Sequence, residues 1–226
     1  MVIVSLKSMD ELFSLLEDKS RVAVLGCAGC SAVCLGGGQR EVDDLITAIR
    51  NYGTVKHDYI STTVERMCDP VFVADLDTYL AGCDVVLSMA CGAGTQLVAE
   101  KFTAIRVFPA VNTVCIGIHK ATGIYEERCR ACGNCVLAYT GGICPVTSCA
   151  KSLFNGPCGG PRDGICEVGN DIPCAWCMIH ERLSAQGRID DIMSIRGTMK
   201  WQNGIQATVI EEGFNNNKSG KRRSGK

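Results

Sequence analysis

The chain has 226 residues, 23 Lys and Arg against 24 Asp and Glu, and a formal net charge of -1. That balance excludes a global electrostatic pull towards nucleic acid or an anionic membrane. At this length roughly 70 % of the extended chain's surface can be buried, so folding needs no disulfide staple.

In chain order, Ser8 followed by Glu11 makes a capping-box pattern, and Met9, Leu12, Phe13, Leu15 and Leu16 supply the apolar face of a short helix. The acidic residues Asp10, Glu11, Glu17 and Asp18 argue against a signal peptide or membrane span in the first 20 residues. The expectation is a cytoplasmic protein in a reducing compartment, where thiols persist. Residues 21–26 (RVAVLG) form a short apolar, β-branched run, and comparable runs recur at 55–60, 85–90, 104–108 and 114–118. Helical stretches lie between them. Residues 41–51 place Val42, Leu45, Ile46 and Ile49 on one face, and 96–101 is a second candidate. The alternation predicts a Rossmann- or flavodoxin-like α/β domain with a mainly parallel sheet over residues 1–120.

After residue 120 the periodicity fades and glycines break the chain among nine cysteines. Residues 121–188 therefore read as a small ferredoxin-like module organised by metal, closed by a helix over 179–186. Residues 189–226 read as an extension ending in a basic run, KSGKRRSGK, expected to be a solvated, disordered tail without nucleic-acid binding.

Sixteen cysteines in 226 residues are the compositional outlier. Cys129, Cys132 and Cys135 form C-x2-C-x2-C, followed by Cys144-Pro145, which parallels the bacterial ferredoxin run with a longer gap before the final Cys-Pro. Cys174 is the expected fourth ligand of that triple, leaving Cys144, Cys149, Cys158 and Cys166 as a second set. Closed zinc sites with four cysteine ligands use the same thiolates and turns and stand as the alternative. Cys177 is a spare. In the first half, Cys27 and Cys30 follow the first strand, Cys68 follows the second and Cys91 the third. Parallel strands deliver such loops to one sheet edge, at adjacent strand ends about 4.8 Å apart, where open α/β sheets bind ligands. Cys34 is a fifth thiol or a replacement ligand there. Cys83 and Cys115 read as buried core thiols, the glycine run 36–38 as a linker, and His57, His119 and His180 as surface or capping residues. No dinucleotide fingerprint, phosphate-binding loop, zinc-protease motif or nucleophile elbow is present in the sequence.

The strings CRACGNC, GGICPVT, NGPCGG and CAWCMIHERL, with LGCAGCSAVCLGGG and MACGAGTQ upstream, resemble the methylenetetrahydrofolate reductase C-terminal domain family over most of residues 20–185. That family includes the small, V-type subunit of acetogen-type reductases. The resemblance implies an iron-sulfur electron-transfer subunit with two or three 4Fe-4S clusters, zinc being an option at one site. It brings over Cys27, Cys30, Cys34, Cys68, Cys91, Cys129, Cys132, Cys135, Cys144, Cys149, Cys158, Cys166 and Cys174 as candidate ligands. It also implies a flavin-bearing large subunit as partner, with flavin and folate sites on that chain, and an upstream donor complex or ferredoxin.

Overall fold

A computed structural model describes residues 1–16, 21–53, 56–199 and 208–209. Strand β1 (Val2–Leu6) opens the chain and leads into helix α1 (Met9–Leu16), where Glu11 N donates to Ser8 Oγ at 3.3 Å as the capping pattern expects. Then follow β2 (Arg21–Cys27), the short α2 (Cys30–Val33), α3 (Gln39–Tyr52), β3 (Asp58–Val64), α4 (Leu76–Leu80), β4 (Val85–Ser88), α5 (Gly92–Lys101) and β5 (Arg106–Pro109). Strands β2 to β5 form a four-stranded parallel sheet in the order β3-β2-β4-β5. Its central strands are apolar on both faces because helices cover both. Leu12, Leu16, Val42, Leu45 and Ile49 pack against Val22, Val24, Val85 and Leu87 on one side, and Leu76, Leu80, Val98 and Phe102 against Ala23, Leu25 and Val86 on the other.

The fifth apolar run does not join this sheet. It lies in β6 (Val111–Ala121), which pairs antiparallel with β1 and with β7 (Ile124–Cys129) in a separate three-stranded sheet. The reason is connection length. Only Ala110 separates β5 from β6, whereas a parallel neighbour needs a crossover of a dozen residues or more. Strand β6 runs through residue 120, so the antiparallel sheet ties the first half of the chain to the cysteine-rich half.

Beyond β7, regular structure is sparse: a 3-10 turn at Leu137–Tyr139, α6 (Pro145–Ser148), α7 (Ala175–Ala185) and a 3-10 turn at Ile189–Ile192. The chain is mixed α/β. A small core does form in this half around Cys174, Trp176, Ile179 and Leu183, with Ile143, Cys149 and Ile189 against it. Trp176 Nε1 donates to Leu153 O at 2.9 Å and so satisfies its own buried N–H. The basic run 218–226 lies outside the described residues. Among the described residues, no helix is long and apolar enough to cross a membrane.

Candidate metal centres

The first cysteine set is assembled by the carboxyl ends of β2, β3 and β4, three neighbours in the sheet. Cys27 ends β2, Cys30 begins α2, Cys68 lies in the turn after β3, and Cys91 caps the amino end of α5. The loops are bound to one another by main-chain bonds: Cys27 N to Gly37 O at 2.7 Å, Ala28 N to Val64 O at 2.8 Å and Met89 N to Leu25 O at 2.8 Å. Gly94 permits a close approach, because a Cβ there would lie 2.9 Å from the Cβ of Met67 and 3.0 Å from that of Ala90. The Cys68 thiol is pushed up from its ordinary value, first by burial and then by the neighbouring Cys91, Cys27 and Cys30. Cys68 therefore stands within electrostatic reach of the other three thiols.

Cys34 is placed differently from the other four. Its sulfur accepts from Val4 N at 3.4 Å and donates to Ser31 O at 3.4 Å, and the side chain packs with Ile3, Val4 and Val111. Burial raises this thiol, offset in part by the Val4 N–H. Cys83 and Cys115, expected in the core, are half-buried at its margin. For Cys115 the cause is the departure of β6 from the parallel sheet, which leaves that strand's Val114, Ile116 and Ile118 exposed.

In the second half, Cys129 closes β7 and the loop curls tightly after it, with Ala131 and Gly133 in left-handed conformation at φ 50° and 80°. Ala131 N donates to Cys129 Sγ at 3.3 Å, and Cys132 Sγ approaches Asn134 O at 3.8 Å. Cys144 is the N-cap of α6 and Cys149 its C-cap. Thr147 Oγ1 donates to Arg128 O at 3.3 Å, which brings α6 against the end of β7 that carries Cys129.

Cys149, Cys158, Cys166 and Cys174 line one narrow cavity of about 10 Å³, with Pro161 and Trp176 also in its wall. The surrounding loop is pinned by short antiparallel bridges, Arg162 to Ile165 and Ile165 to Pro173, and by Cys166 N to Ile172 O and Cys174 N to Gly164 O, both at 2.8 Å. The grouping thus differs from the sequence reading. Cys174 stands with Cys149, Cys158 and Cys166, while Cys144 caps the start of α6, the helix that lies against the Cys129 end of β7. A four-residue helix is only about 6 Å long, and its two capping cysteines serve its two ends. Glu167, paired with Lys151 and 3.7 Å from Cys158 Sγ, is a further acid at this cavity that spacing could not reveal. Cys177 sits one turn along α7, half-buried and raised by burial and by its hydrogen bond with Cys174.

Cys91 and Cys174 are the N-caps of α5 and α7, helices of 10 and 11 residues. Among the described residues, no three or more Cys, His, Asp or Glu side chains are drawn into a closed ligand sphere. The thiols are grouped by the fold without being locked in ligand geometry.

Comparison with known proteins bears on the second half. Residues 108–202 match the family described as methylene-tetrahydrofolate reductase C terminal. The match begins in β5 and takes in β6, β7 and every cysteine from Cys115 to Cys177. Residues 1–107, with Cys27, Cys30, Cys34, Cys68 and Cys91, lie outside it, so the match is shifted and narrower than the span over which the sequence resembles that family. The chain is also similar to a subunit of the tungsten-containing formylmethanofuran dehydrogenase 2 of Methanopyrus kandleri, 48 % identical over 42 residues. That stretch is 18 % of this chain and 44 % of the relative, so the chain spans less than half the length of the curated relative it matches. No solved structure matches. The family and the relative are both named for oxidoreductases.

Proposed function

We propose that this chain is an iron-sulfur electron-transfer subunit that serves a flavin-bearing methylenetetrahydrofolate reductase subunit in folate one-carbon metabolism. The observation that carries the reading is the convergence of Cys27, Cys30, Cys68 and Cys91 at the carboxyl edge of the parallel sheet, in a chain whose remainder matches a reductase domain. Four thiols at one sheet edge suit a 4Fe-4S cluster or zinc. The triple Cys129, Cys132 and Cys135 with Cys144 is the second set, and Cys149, Cys158, Cys166 and Cys174 the third. Bound clusters would supply one-electron transfer, and the chain's part is to hold, space and shield them. Cys34, already bonded to β1, is in reserve as an alternative donor beside Cys30.

Zinc is a second reading for the third set alone. A cavity of about 10 Å³ has room for one water-sized occupant, which favours a compact single ion at this set. The flavin and folate sites belong to the partner in this reading, and a ferredoxin or donor complex supplies electrons. The test is anaerobic reconstitution with the partner, a low-potential donor and methylenetetrahydrofolate. Intact protein is compared with a Cys132→Ser variant that still binds the partner. Turnover should fall with the variant, and equal turnover would replace the conduit role with a scaffold role.

A further inference from the structure

The antiparallel sheet lies between the first and second thiol sets and touches both. Gly92 N, the amide directly after Cys91, donates to Thr113 Oγ1 on β6 at 2.8 Å. Three residues further along β6, Ile116 is the register partner of Cys129 on β7. Three residues of strand span about 10 Å. A groove of about 590 Å³ runs along this stretch, with Cys91, Gln96, Thr113 and Cys129 in its wall. Cys91 and Cys129, one thiol of each set, therefore line one groove, and Thr113 sits where the turn after Cys91 meets β6, the strand paired with β7.

The Cys91 side chain also packs against the cluster of Ile3, Val4, Cys34 and Val111, and the hydrogen bonds that shape its turn run within the parallel-sheet half. Ser88 Oγ and Thr95 Oγ1 share a buried hydrogen bond of 2.8 Å, Ala90 N donates to Ser88 Oγ at 3.4 Å, and Thr95 Oγ1 donates to Ala90 O at 3.3 Å. Thr95 N completes the turn by donating to Cys91 O at 3.0 Å. These bonds hold the shape of the turn without referring it to β6. Among the described residues, the Gly92–Thr113 bond is the side-chain hydrogen bond that joins this turn to β6. None of Ser88, Thr95 or Thr113 carried a sequence signal.

We propose that Thr113 is a positioning residue, a latch that fixes the separation of the thiol set at Cys91 from the set at Cys129 and thereby sets the coupling between the redox centres they hold. The inference rests on the function proposed above. The exchange it governs is of one electron: the reduced set loses it, the oxidised set gains it, and no bond forms or breaks. The side chain does this through its hydroxyl alone, because the acceptor of the Gly92 N–H is Oγ1. Valine keeps the branched shape and removes the acceptor, while serine keeps the acceptor and removes a methyl group.

The experiment uses the full chain, purified without oxygen and reduced with dithionite. Electron paramagnetic resonance is recorded at partial and full reduction on the natural protein, Thr113→Val and Thr113→Ser. If the latch is real, the fully reduced natural protein shows spin-spin splitting between two centres. Thr113→Val loses or alters the splitting at unchanged iron content, and Thr113→Ser restores it. Unchanged splitting in Thr113→Val, or a natural protein with both centres assembled and no splitting, overturns the latch and leaves the proposed function standing. A natural protein with no iron at the Cys91 set, recognised by a Cys91→Ser spectrum identical to its own, overturns the functional reading and the latch with it.

Discussion

Replacing Gly37 by alanine should destabilise the protein and disturb the first thiol set together. A Cβ at position 37 would lie 2.3 Å from Met89 O and 2.7 Å from the Cβ of Ser31. The first contact is about 1 Å inside ordinary van der Waals range, and the obstacle is main chain, which cannot rotate away as a side chain could. Overpacking of this kind costs about 1–3 kcal/mol. The Cys27 N to Gly37 O bond of 2.7 Å would stretch as the loop is pushed off, adding about 1 kcal/mol. The sum, about 2–4 kcal/mol, corresponds to a fall in thermal midpoint of about 2–4 °C per kcal/mol for a chain of this size. Because the same loop carries Cys30 and leaves from Cys27, the displacement moves both away from Cys91, and iron bound at that edge should fall while the second half keeps its own. The assay is anaerobic thermal unfolding with iron analysis of the natural protein and the variant. Stability within about 0.5 kcal/mol of the natural protein, with unchanged iron, would refute the reasoning that this glycine exists for close main-chain approach.

Tyr59→Phe should be neutral or stabilising by about 1 kcal/mol, since the Tyr59 hydroxyl is buried with no hydrogen-bond partner; denaturant titration measures it, and a loss above 1 kcal/mol would reveal a hidden partner. Burial raises the Tyr59 phenol above its ordinary value of 10.0, against the pull of Arg50. A group raised on folding stabilises below its unfolded value and loses that contribution as pH climbs through the folded one, so stability should drop above about pH 10 and the drop should shrink in Tyr59→Phe. Leu183→Ala, at a fully buried position of α7, should cost about 2–5 kcal/mol, and a cost below 1 kcal/mol would mean that the small core of the second half does not hold α7. Stripping metal from the anaerobic protein should make the region from Cys129 to Cys177 the first to be cut by protease, because its core is small and thiol-lined; resistance of verified apo protein would contradict this.

Much of the first half is legible from sequence because its signals are local. Four β-branched runs separated by amphipathic stretches specify the strands and helices of the parallel sheet, and the Ser8–Glu11 pattern specifies the start of α1. Once strand ends share an edge, the cysteines that follow them are neighbours, and the grouping of Cys27, Cys30, Cys68 and Cys91 follows from that. Strand β1 escapes notice because five residues before a helix cap have little pattern of their own and gain their structure from pairing with β6. The fifth run has the composition of a parallel strand, and what places it elsewhere is the single residue between Pro109 and Val111, a matter of chain length rather than residue type. The division of the later cysteines is illegible for a related reason. Spacing cannot show that α6 separates Cys144 from Cys149, or that Gly164 O and Ile172 O fold the loop back to carry Cys166 and Cys174 to one cavity. Gly36, Gly37 and Gly38 read as a linker in sequence, yet Gly37 is packed against β4's exit.

The proposed function stands or falls on what the thiols hold. The direct measurement is the iron, sulfide and zinc content of protein prepared entirely without oxygen, with its electron paramagnetic resonance spectrum after reduction, for the natural chain, Cys91→Ser and Cys132→Ser. The expected result is iron and sulfide for at least two 4Fe-4S clusters, with a different signal lost in each variant and zinc confined to the set at Cys149, Cys158, Cys166 and Cys174. Stoichiometric zinc with negligible iron in material never exposed to air would contradict it.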